Sequence, residues 1–176
     1  LTSSSKEYTA CMKLGLTTDT EDTTGEILSE NNGWKDISDN FIAAVIESFV
    51  GSYEQLPPMY SAIKKNGKKL YEYAREGIEI KRDKRPVEII SIKDISVEKP
   101  YVHYTVKCSK GTYIRSLCRD IGEKLGCGAV MSGLVRNELH GMKADCGYKI
   151  SEIEKLRDND RLSESPTPDD LDELLS

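Results

Sequence analysis

The sequence predicts an α+β fold in which a mainly antiparallel mixed sheet is flanked by helices. Stretches that alternate apolar and polar residues, as strands do, precede and follow two stretches with the apolar spacing of amphipathic helices. These segments do not follow the strand-helix-strand rhythm of a parallel sheet, so neighbouring strands are expected to pair antiparallel. A chain of 176 residues is long enough for one domain with a core of ordinary size.

The first part of the chain predicts a strand, a turn and a helix. Residues 6–16 alternate apolar and polar side chains and are expected to form a half-buried strand. Residues 17–25 are rich in Thr and Asp, whose side chains bond the local backbone, so an ordered turn rather than a strand should follow. Residues 37–50 carry helical apolar spacing, with Ser38 or Asp39 available as the N-cap.

The next segment predicts several small elements. Pro57-Pro58 blocks regular structure, residues 59–64 fit a short strand, and Asn66-Gly67 is a strong signal for a tight turn. Residues 69–76 fit a short helix that Gly77 ends.

Two strands and the second amphipathic helix complete the predicted elements. Residues 86–98 and 101–108 alternate and are expected to pair antiparallel. Residues 111–125 predict a helix with Gly126 as its stop, and residues 130–142 contain another strand or two.

Charge is distributed unevenly along the chain. The 25 basic and 30 acidic residues give a net charge of −5, which by itself argues against a polyanionic partner. Between Lys64 and Arg85, however, nine basic residues outnumber four acidic ones, a local charge of +5. Such a stretch can bind phosphates whatever the charge of the whole chain, although a solvated lysine-rich face is the alternative. Residues 163–176 predict an acidic, weakly ordered tail.

Several classes of site are disfavoured. No window approaches the ~18 apolar residues of a membrane span, so no membrane partner is expected and the predicted location is the cytoplasm. No phosphate-binding loop, dinucleotide fingerprint or common hydrolase motif occurs. The five cysteines form no CxxC pair, which predicts reduced, mostly structural thiols and no metal site. A nucleophile pair of Cys108 with His103 is an alternative that no motif supports.

Four tyrosines accompany the basic stretch: Tyr53 and Tyr60 precede it, and Tyr71 and Tyr73 lie among its lysines. Rings beside ammonium groups can stack unpaired bases while the cations hold the backbone, which is a common way to bind looped RNA. For Tyr71 and Tyr73, packing in the core of a small helix is equally open.

Four ordered blocks carry a recognisable set of motifs, and together they cover roughly residues 6–142. The blocks are Lys6-Glu7-Tyr8 with Thr18-Asp19-Thr20, Asp22 and Gly25; Pro57-Pro58-Met59-Tyr60-Ser61-Ala62-Ile63-Lys64 continuing to Gly77; Cys108-Ser109-Lys110-Gly111-Thr112-Tyr113-Ile114-Arg115; and Gly122-Glu123-Lys124-Leu125-Gly126-Cys127-Gly128-Ala129. They resemble the TruB family of tRNA pseudouridine synthases, in its bacterial form. The resemblance implies part of a pseudouridine synthase catalytic domain over residues 1–162, with an RNA-gripping insertion at about residues 53–86.

The activity implied by the resemblance is isomerisation of the T-loop uridine of tRNA to pseudouridine, without a cofactor or a metal. The partner would be the T arm of tRNA. Such an enzyme must flip the target base out of its stack, detach it from the ribose, rotate it and rejoin it through carbon.

The resemblance also implies roles for individual residues. Tyr8 would stack on the flipped uracil and take the C5 proton, and Arg115 would hold the catalytic carboxylate ionised and oriented. Tyr113 and Leu134 would line the uracil pocket, and Asp22 would lie near the bound loop. Each residue also has a structural alternative. Tyr8 fits an inward-facing strand tyrosine, and Arg115 fits a surface ion pair. Tyr113 and Leu134 fit plain core packing, and Asp22 fits a turn cap. The residues expected to bind RNA are Tyr60, Lys64, Lys65, Lys68, Lys69 and Arg75.

Two parts of the family's pattern do not occur in these 176 residues. One is the nucleophilic aspartate of a G-x-L-D-P-x-A-T-G stretch, which belongs upstream of Lys6, and the other is the usual C-terminal PUA RNA-binding domain. We therefore expect a partial catalytic domain that is inactive alone and that an N-terminal segment of the same protein would complete. The alternative is a non-catalytic RNA-binding or tRNA-chaperone-like module that keeps the gripping segment.

Overall fold

A five-stranded antiparallel sheet organises the chain in the computed structural model, which describes residues 5–137. In chain order the elements are β1 (Lys6–Leu14), β2 (Leu16–Thr18), β3 (Ile27–Glu30), a 3-10 helix (Asn32–Asp36), α1 (Asp39–Glu47), β4 (Gly51–Gln55), β5 (Lys64–Lys65), β6 (Lys68–Lys69), α2 (Leu70–Arg75), β7 (Arg85–Glu98), β8 (Tyr101–Cys108), α3 (Ile114–Leu125) and β9 (Ala129–Arg136). The sheet order is β4-β7-β8-β1-β9, and each neighbouring pair is antiparallel. The predicted α+β class with a mainly antiparallel sheet is confirmed. The acidic tail predicted at residues 163–176 lies outside the described residues, as does the end of the strand predicted over residues 130–142.

The core lies between the sheet and the helices α1 and α3. On β1 every second side chain is buried in the main apolar cluster, as the alternation predicts: Tyr8, Ala10, Met12 and Leu14. Helix α3 packs against β1 and β9 and touches α1, which packs against β7. The apolar face of α3 joins the same cluster through Ile114, Leu117, Cys118, Ile121 and Leu125.

The two longer helices begin and end at residues whose chemistry explains their bounds. The hydroxyl of Ser38 accepts the N–H of Phe41 at 3.1 Å, so α1 starts at Asp39. Gly126 adopts a left-handed conformation with φ 87° and ends α3, as predicted. Among the helices in residues 5–137, none combines the length and apolar content needed to cross a membrane.

The turn predicted over residues 17–25 is partly wrong. Thr17 and Thr18 belong to β2 and pair with Ser29 and Ile27 of β3 in a small hairpin. The first strand ends before the predicted Leu16, because Gly15 has a φ of 85° and separates β1 from β2. The turn itself is confined to the residues between β2 and β3.

The strand predicted over residues 59–64 is also wrong, apart from its last residue. The carbonyls of Ser61 and Ile63 accept the N–H groups of Tyr71 and Leu70 at 3.0 and 2.8 Å. The first N–H groups of a helix have no acceptor within the helix, and in α2 these carbonyls accept them. The carbonyls are therefore not available to a strand partner. The predicted turn at Asn66-Gly67 is present between β5 and β6, with φ values of 54° and 78°.

Candidate active site and RNA-binding insertion

Tyr8 and Leu134 lie close together in the sheet. Tyr8 is on β1 and is 2% exposed, and Leu134 is on the neighbouring β9 and is 7% exposed. Leu134 pairs with Ala10, two positions along β1 from Tyr8, so the side chains of Tyr8 and Leu134 point to the same face. Both belong to the main apolar cluster, and the core alternative is therefore compatible with the same geometry.

Arg115 is completely buried in the first turn of α3. Its Nη1 donates to the carbonyl of Thr20 at 3.2 Å, and its Nη2 donates to the carbonyl of Tyr60 at 2.8 Å. One guanidinium thus joins α3 both to the turn that carries Asp22 and to Tyr60, which precedes the basic stretch. A buried cation attracts a carboxylate more strongly than an exposed one, and a surface ion pair does not describe this residue.

Asp22 is buried in the turn between β2 and β3 and caps that turn. Its Oδ1 accepts the hydroxyls of Thr20 and Thr24 at 2.7 and 2.5 Å and the N–H of Thr24 at 3.0 Å. The residue also forms a bridge with Met131 of β9, which fixes the turn against the sheet. These contacts are those of the turn-cap alternative, and a role for Asp22 near bound RNA stays a prediction.

Tyr113 is the N-cap residue of α3 and is held there by Gln55, the last residue of β4. The Tyr113 N–H donates to Gln55 Oε1 at 2.9 Å, and Gln55 Nε2 donates to the Tyr113 carbonyl at 3.1 Å. Both side chains are buried, with exposures of 1% and 2%. A single amide side chain therefore fixes the start of the helix that carries Arg115, a role that no sequence pattern indicated.

A polar network on α3 was also missed by sequence reasoning. Arg119 donates through Nη1 to Glu21 Oε2 at 2.8 Å and through Nη2 to Asp120 Oδ1 at 3.0 Å. Ser116, on the same helix, donates to the other oxygen of Glu21 at 3.0 Å. At the opposite end, the Tyr53 hydroxyl donates to Asp120 Oδ2 at 2.9 Å.

Burial perturbs the titration of this network. Desolvation raises the pKa of Asp120, although Arg119 and the Tyr53 hydrogen bond favour its charged form. Burial and the charge of Asp120 raise the pKa of Tyr53 far above its ordinary value, so its hydroxyl stays protonated and donates. For Arg119 burial acts to lower the pKa, but Glu21 and Asp120 outweigh it and the pKa lies above its ordinary value. Arg119 therefore stays charged and paired with Glu21 and Asp120.

The predicted RNA-binding lysines lie on the β5-β6 hairpin. Lys64 is exposed, whereas Lys68 pairs with Glu76 at 2.7 Å and Lys65 lies 3.9 Å from Asp83. Both pairs are solvent-accessible, so each ion pair is weak and an incoming phosphate can replace the carboxylate.

The two tyrosines of α2 are half-buried and lie under cations. The guanidinium of Arg75 lies 4.7 Å from the Tyr71 ring centroid, and Lys68 Nζ lies 4.8 Å from that of Tyr73. Tyr71 also packs against Ala62, and the Tyr73 hydroxyl donates to the Lys65 carbonyl at 3.0 Å. Both rings thus hold the hairpin and helix together, which favours the packing alternative for part of each ring.

Two open clefts flank the network on α3 rather than the five candidate active-site residues. One, of about 540 Å³, is lined by Tyr53, Asp120 and Arg119, among others. The second, of about 460 Å³, is lined by Tyr60, by Leu28 of β3 and by Arg119, among others. Neither cleft is lined by Tyr8, Asp22, Tyr113, Arg115 or Leu134.

Cys108 and Cys118 give no support to a thiol enzyme, and Cys146 lies outside the described residues. Burial raises the pKa of Cys108 and of Cys118 to about 12, so both are protonated near neutral pH. His103 lies five positions from Cys108 on β8, an odd separation that directs the two side chains to opposite faces. The prediction of reduced thiols is confirmed for Cys108, Cys118 and Cys127 but is wrong for Cys11, which is disulfide-bonded. Cysteine number and spacing argue against a framework of several bridges but do not exclude one isolated bond.

Comparison with solved structures and family models identifies the class of fold. A chain in the crystal structure of a Cbf5-Nop10-Gar1 complex matches with a TM-score of 0.52 and 30% identity, over 76% of this chain and 30% of that chain. Residues 1–114 match the model of the TruB family pseudouridylate synthase N-terminal domain. The fold is therefore that of the pseudouridine synthases, as the sequence motifs predict.

Within that class, the chain belongs to the TruB family. Residues 115–176 match the tRNA pseudouridylate synthase B C-terminal domain. The tRNA pseudouridine synthase B of Alkaliphilus oremlandii is 50% identical over 151 residues, which are 86% of this chain and 50% of that protein. That of Clostridium acetobutylicum is 55% identical over 131 residues, 74% of this chain and 45% of that protein. The chain thus spans about half the length of the curated relatives it matches.

Proposed function

We propose that this chain forms part of a tRNA pseudouridine synthase that acts on the T-loop uridine of tRNA. Membership of the TruB family supports the reaction class. The structural observation that carries the proposal is Arg115, a fully buried cation in a helix packed against the strand of Tyr8. A surface-binding module would not require a buried guanidinium at this place.

In the proposed reaction the bond from uracil N1 to ribose C1′ breaks, the base rotates, and a bond from C5 to C1′ forms. The C5 proton leaves and N1 gains a proton, so substrate and product are isomers and no redox partner is required. Arg115 holds the nucleophilic carboxylate ionised and oriented, while its hydrogen bonds to Thr20 and Tyr60 fix the plane of the guanidinium. Tyr8 stacks on the flipped base and receives the C5 proton.

The surrounding residues would shape the base pocket. Leu134 shares the sheet face of Tyr8 and supplies an apolar wall. Tyr113, held by Gln55 at the start of α3, supplies a second wall, and Asp22 orders the turn that Arg115 contacts. A pocket of this kind excludes water from the reacting base.

We propose that the basic insertion binds the T arm of the tRNA. Phosphates would contact the exposed Lys64 and the partly exposed Lys65, Lys68 and Lys69 of β5 and β6, together with Arg75. Tyr60 would contact the RNA where the insertion meets α3. An enzyme of this kind would work where tRNA matures, in the cytoplasm.

Release of tritium from T-arm RNA labelled at uridine C5 tests the catalytic proposal, because that proton leaves in the final step. The carboxylate that Arg115 would orient belongs to the family's G-x-L-D-P-x-A-T-G motif, so the assay is run with and without a peptide of that sequence. We expect release only with the peptide, and a loss of roughly 100-fold or more in Arg115→Lys.

Two results would contradict this proposal in different ways. Tritium release by the chain alone would show that the peptide motif is not needed. No release with the peptide, from RNA that the chain nevertheless binds, would favour a non-catalytic RNA-binding module.

A further inference from the structure

Three arginine side chains converge on one short stretch of backbone. This stretch, residues 56–60, is the ingoing segment through which the chain leaves β4 for the insertion. The three bonds run from Arg119 Nη2 to the Leu56 carbonyl at 2.8 Å, from Arg82 Nη1 to the Pro57 carbonyl at 2.7 Å, and from Arg115 Nη2 to the Tyr60 carbonyl at 2.8 Å.

The ingoing segment has few other ways to be held. Pro57 and Pro58 have no N–H group, so they cannot donate to a sheet or helix. Pro57 is buried and Leu56 and Tyr60 are partly buried, where a carbonyl without a donor is costly. Charged guanidinium groups supply the donors, and such bonds are stronger than those between neutral groups.

Arg119 connects this segment to the helix of the candidate active site. It lies one helical turn after Arg115 on α3, and its side chain is only 16% exposed. Its remaining donors are occupied by Glu21 and Asp120, which fix the guanidinium before it reaches Leu56. The Leu56 carbonyl is therefore held at a defined position relative to α3.

Arg82 connects the two ends of the insertion. It precedes β7, where the chain returns to the sheet, and its side chain is 12% exposed. Its bond to Pro57 therefore joins the returning chain directly to the ingoing one. Together with the pairing of Gln55 and Arg85, this closes the base of the insertion.

We propose that Arg119 and Arg82 are positioning residues that fix the angle between the insertion and α3, and so place the RNA-binding lysines relative to Arg115. The importance of that angle for RNA rests on the proposed function, whereas the existence of the clamp does not. Neither side chain contacts substrate in this scheme; each acts through the ingoing segment.

Electron-electron distance measurements between two spin labels test the clamp without RNA. One label replaces Lys64 on the insertion and the other replaces Lys93 on β7, both exposed, through a ketone-bearing amino acid that avoids the native cysteines. We expect Arg119→Gln and Arg82→Gln to broaden or shift the distance distribution. The matched control is Lys124→Gln, because Lys124 lies on the same helix but bonds Ser48 instead of the ingoing segment. An unchanged distribution in both arginine variants would overturn the proposal.

The lysine variants Arg119→Lys and Arg82→Lys keep the charge and guard against a failure to fold. One ammonium on a flexible stem cannot hold Glu21, Asp120 and Leu56 in the planar arrangement of Arg119. The lysine variants should therefore also broaden the distribution while circular dichroism shows an intact fold. A lysine variant with the wild-type distribution would overturn the specific role of the guanidinium.

Titration with a T-arm stem-loop RNA links the clamp to function. We expect variants with a broadened distribution to bind about tenfold more weakly than the wild type, in the usual range for coupled sites. Broadened variants that bind as tightly as the wild type would overturn the positioning role. A wild-type chain that does not bind this RNA would refute the proposed RNA function, while the label distances would still decide the clamp.

Discussion

Replacing Gln55 by leucine should destabilise the protein by about 2–4 kcal/mol. The Gln55 amide makes two buried hydrogen bonds to the Tyr113 backbone and a partly buried one to the Tyr53 hydroxyl at 2.8 Å. The buried Tyr113 N–H, left without an acceptor, costs about 1–3 kcal/mol, and the loss of the other two bonds adds about 1 kcal/mol. Leucine has a similar volume, so little of the loss should come from a cavity.

Urea denaturation measures this loss as a shift in the midpoint at an unchanged slope. The matched control is Glu54→Gln on the same strand, which is exposed and should change the free energy of unfolding by less than about 0.5 kcal/mol. Hydrogen exchange at the Tyr113 amide should accelerate in Gln55→Leu, because that N–H loses its acceptor. A loss below about 0.5 kcal/mol in Gln55→Leu, with the Tyr113 amide still protected, would refute the role given to Gln55.

Three further predictions concern the insertion, the polar network and the packing of α3. Replacing Lys64, Lys65, Lys68 and Lys69 together by alanine should weaken T-arm RNA binding and make it less dependent on salt. The control replaces Lys13, Lys35, Lys93 and Lys107 by alanine and should change neither. Equal salt dependence in the two variants would contradict the RNA-binding role of the first four lysines. Burial raises the pKa of Asp120, so the folded state binds a proton there more tightly than the unfolded state does. The free energy of unfolding of the wild type, relative to that of Asp120→Asn, should therefore fall as the pH rises from about 3.8. A relative free energy that rises with pH would contradict the direction of the pKa shift. Gly122→Ala should cost about 1–3 kcal/mol, because a Cβ there collides with the backbone of Gly128 and Ala129; the neighbouring exposed Glu123→Ala is the control, and equal unfolding midpoints would contradict this packing.

Local sequence chemistry predicted much of the fold because the signals are short-range. Ser38 starts α1 and Gly126 ends α3, since each acts on backbone groups a few residues away. The strand predicted at residues 59–64 is wrong because its structure depends on residues farther along the chain. Its carbonyls are used by α2, and no pattern within six residues reveals that a later helix will need them. The central position of β1 between β8 and β9 likewise depends on pairings across about a hundred residues.

The candidate site divides in the same way. Motif resemblance singled out Arg115, and the structure shows it buried, but nothing in the sequence showed that its donors go to Thr20 and Tyr60. The ion pair of Glu21 with Arg119 joins residues 98 positions apart. In the sequence each of these two residues is one charge in an ordinary polar context. Only the fold brings them together, so their role could not be predicted.

The two prolines at the start of the insertion explain why arginines gather there. Pro57 and Pro58 have no N–H groups and cannot extend β4, which ends at Gln55. The carbonyls of Leu56 and Pro57 still need donors, and long guanidinium side chains can reach them from α3 and from the returning chain. The same sequence feature that releases the insertion from the sheet therefore makes its orientation depend on α3, the helix that carries Arg115. Substituting the prolines alone would not remove that dependence, because the bonds are made to carbonyls that every residue possesses.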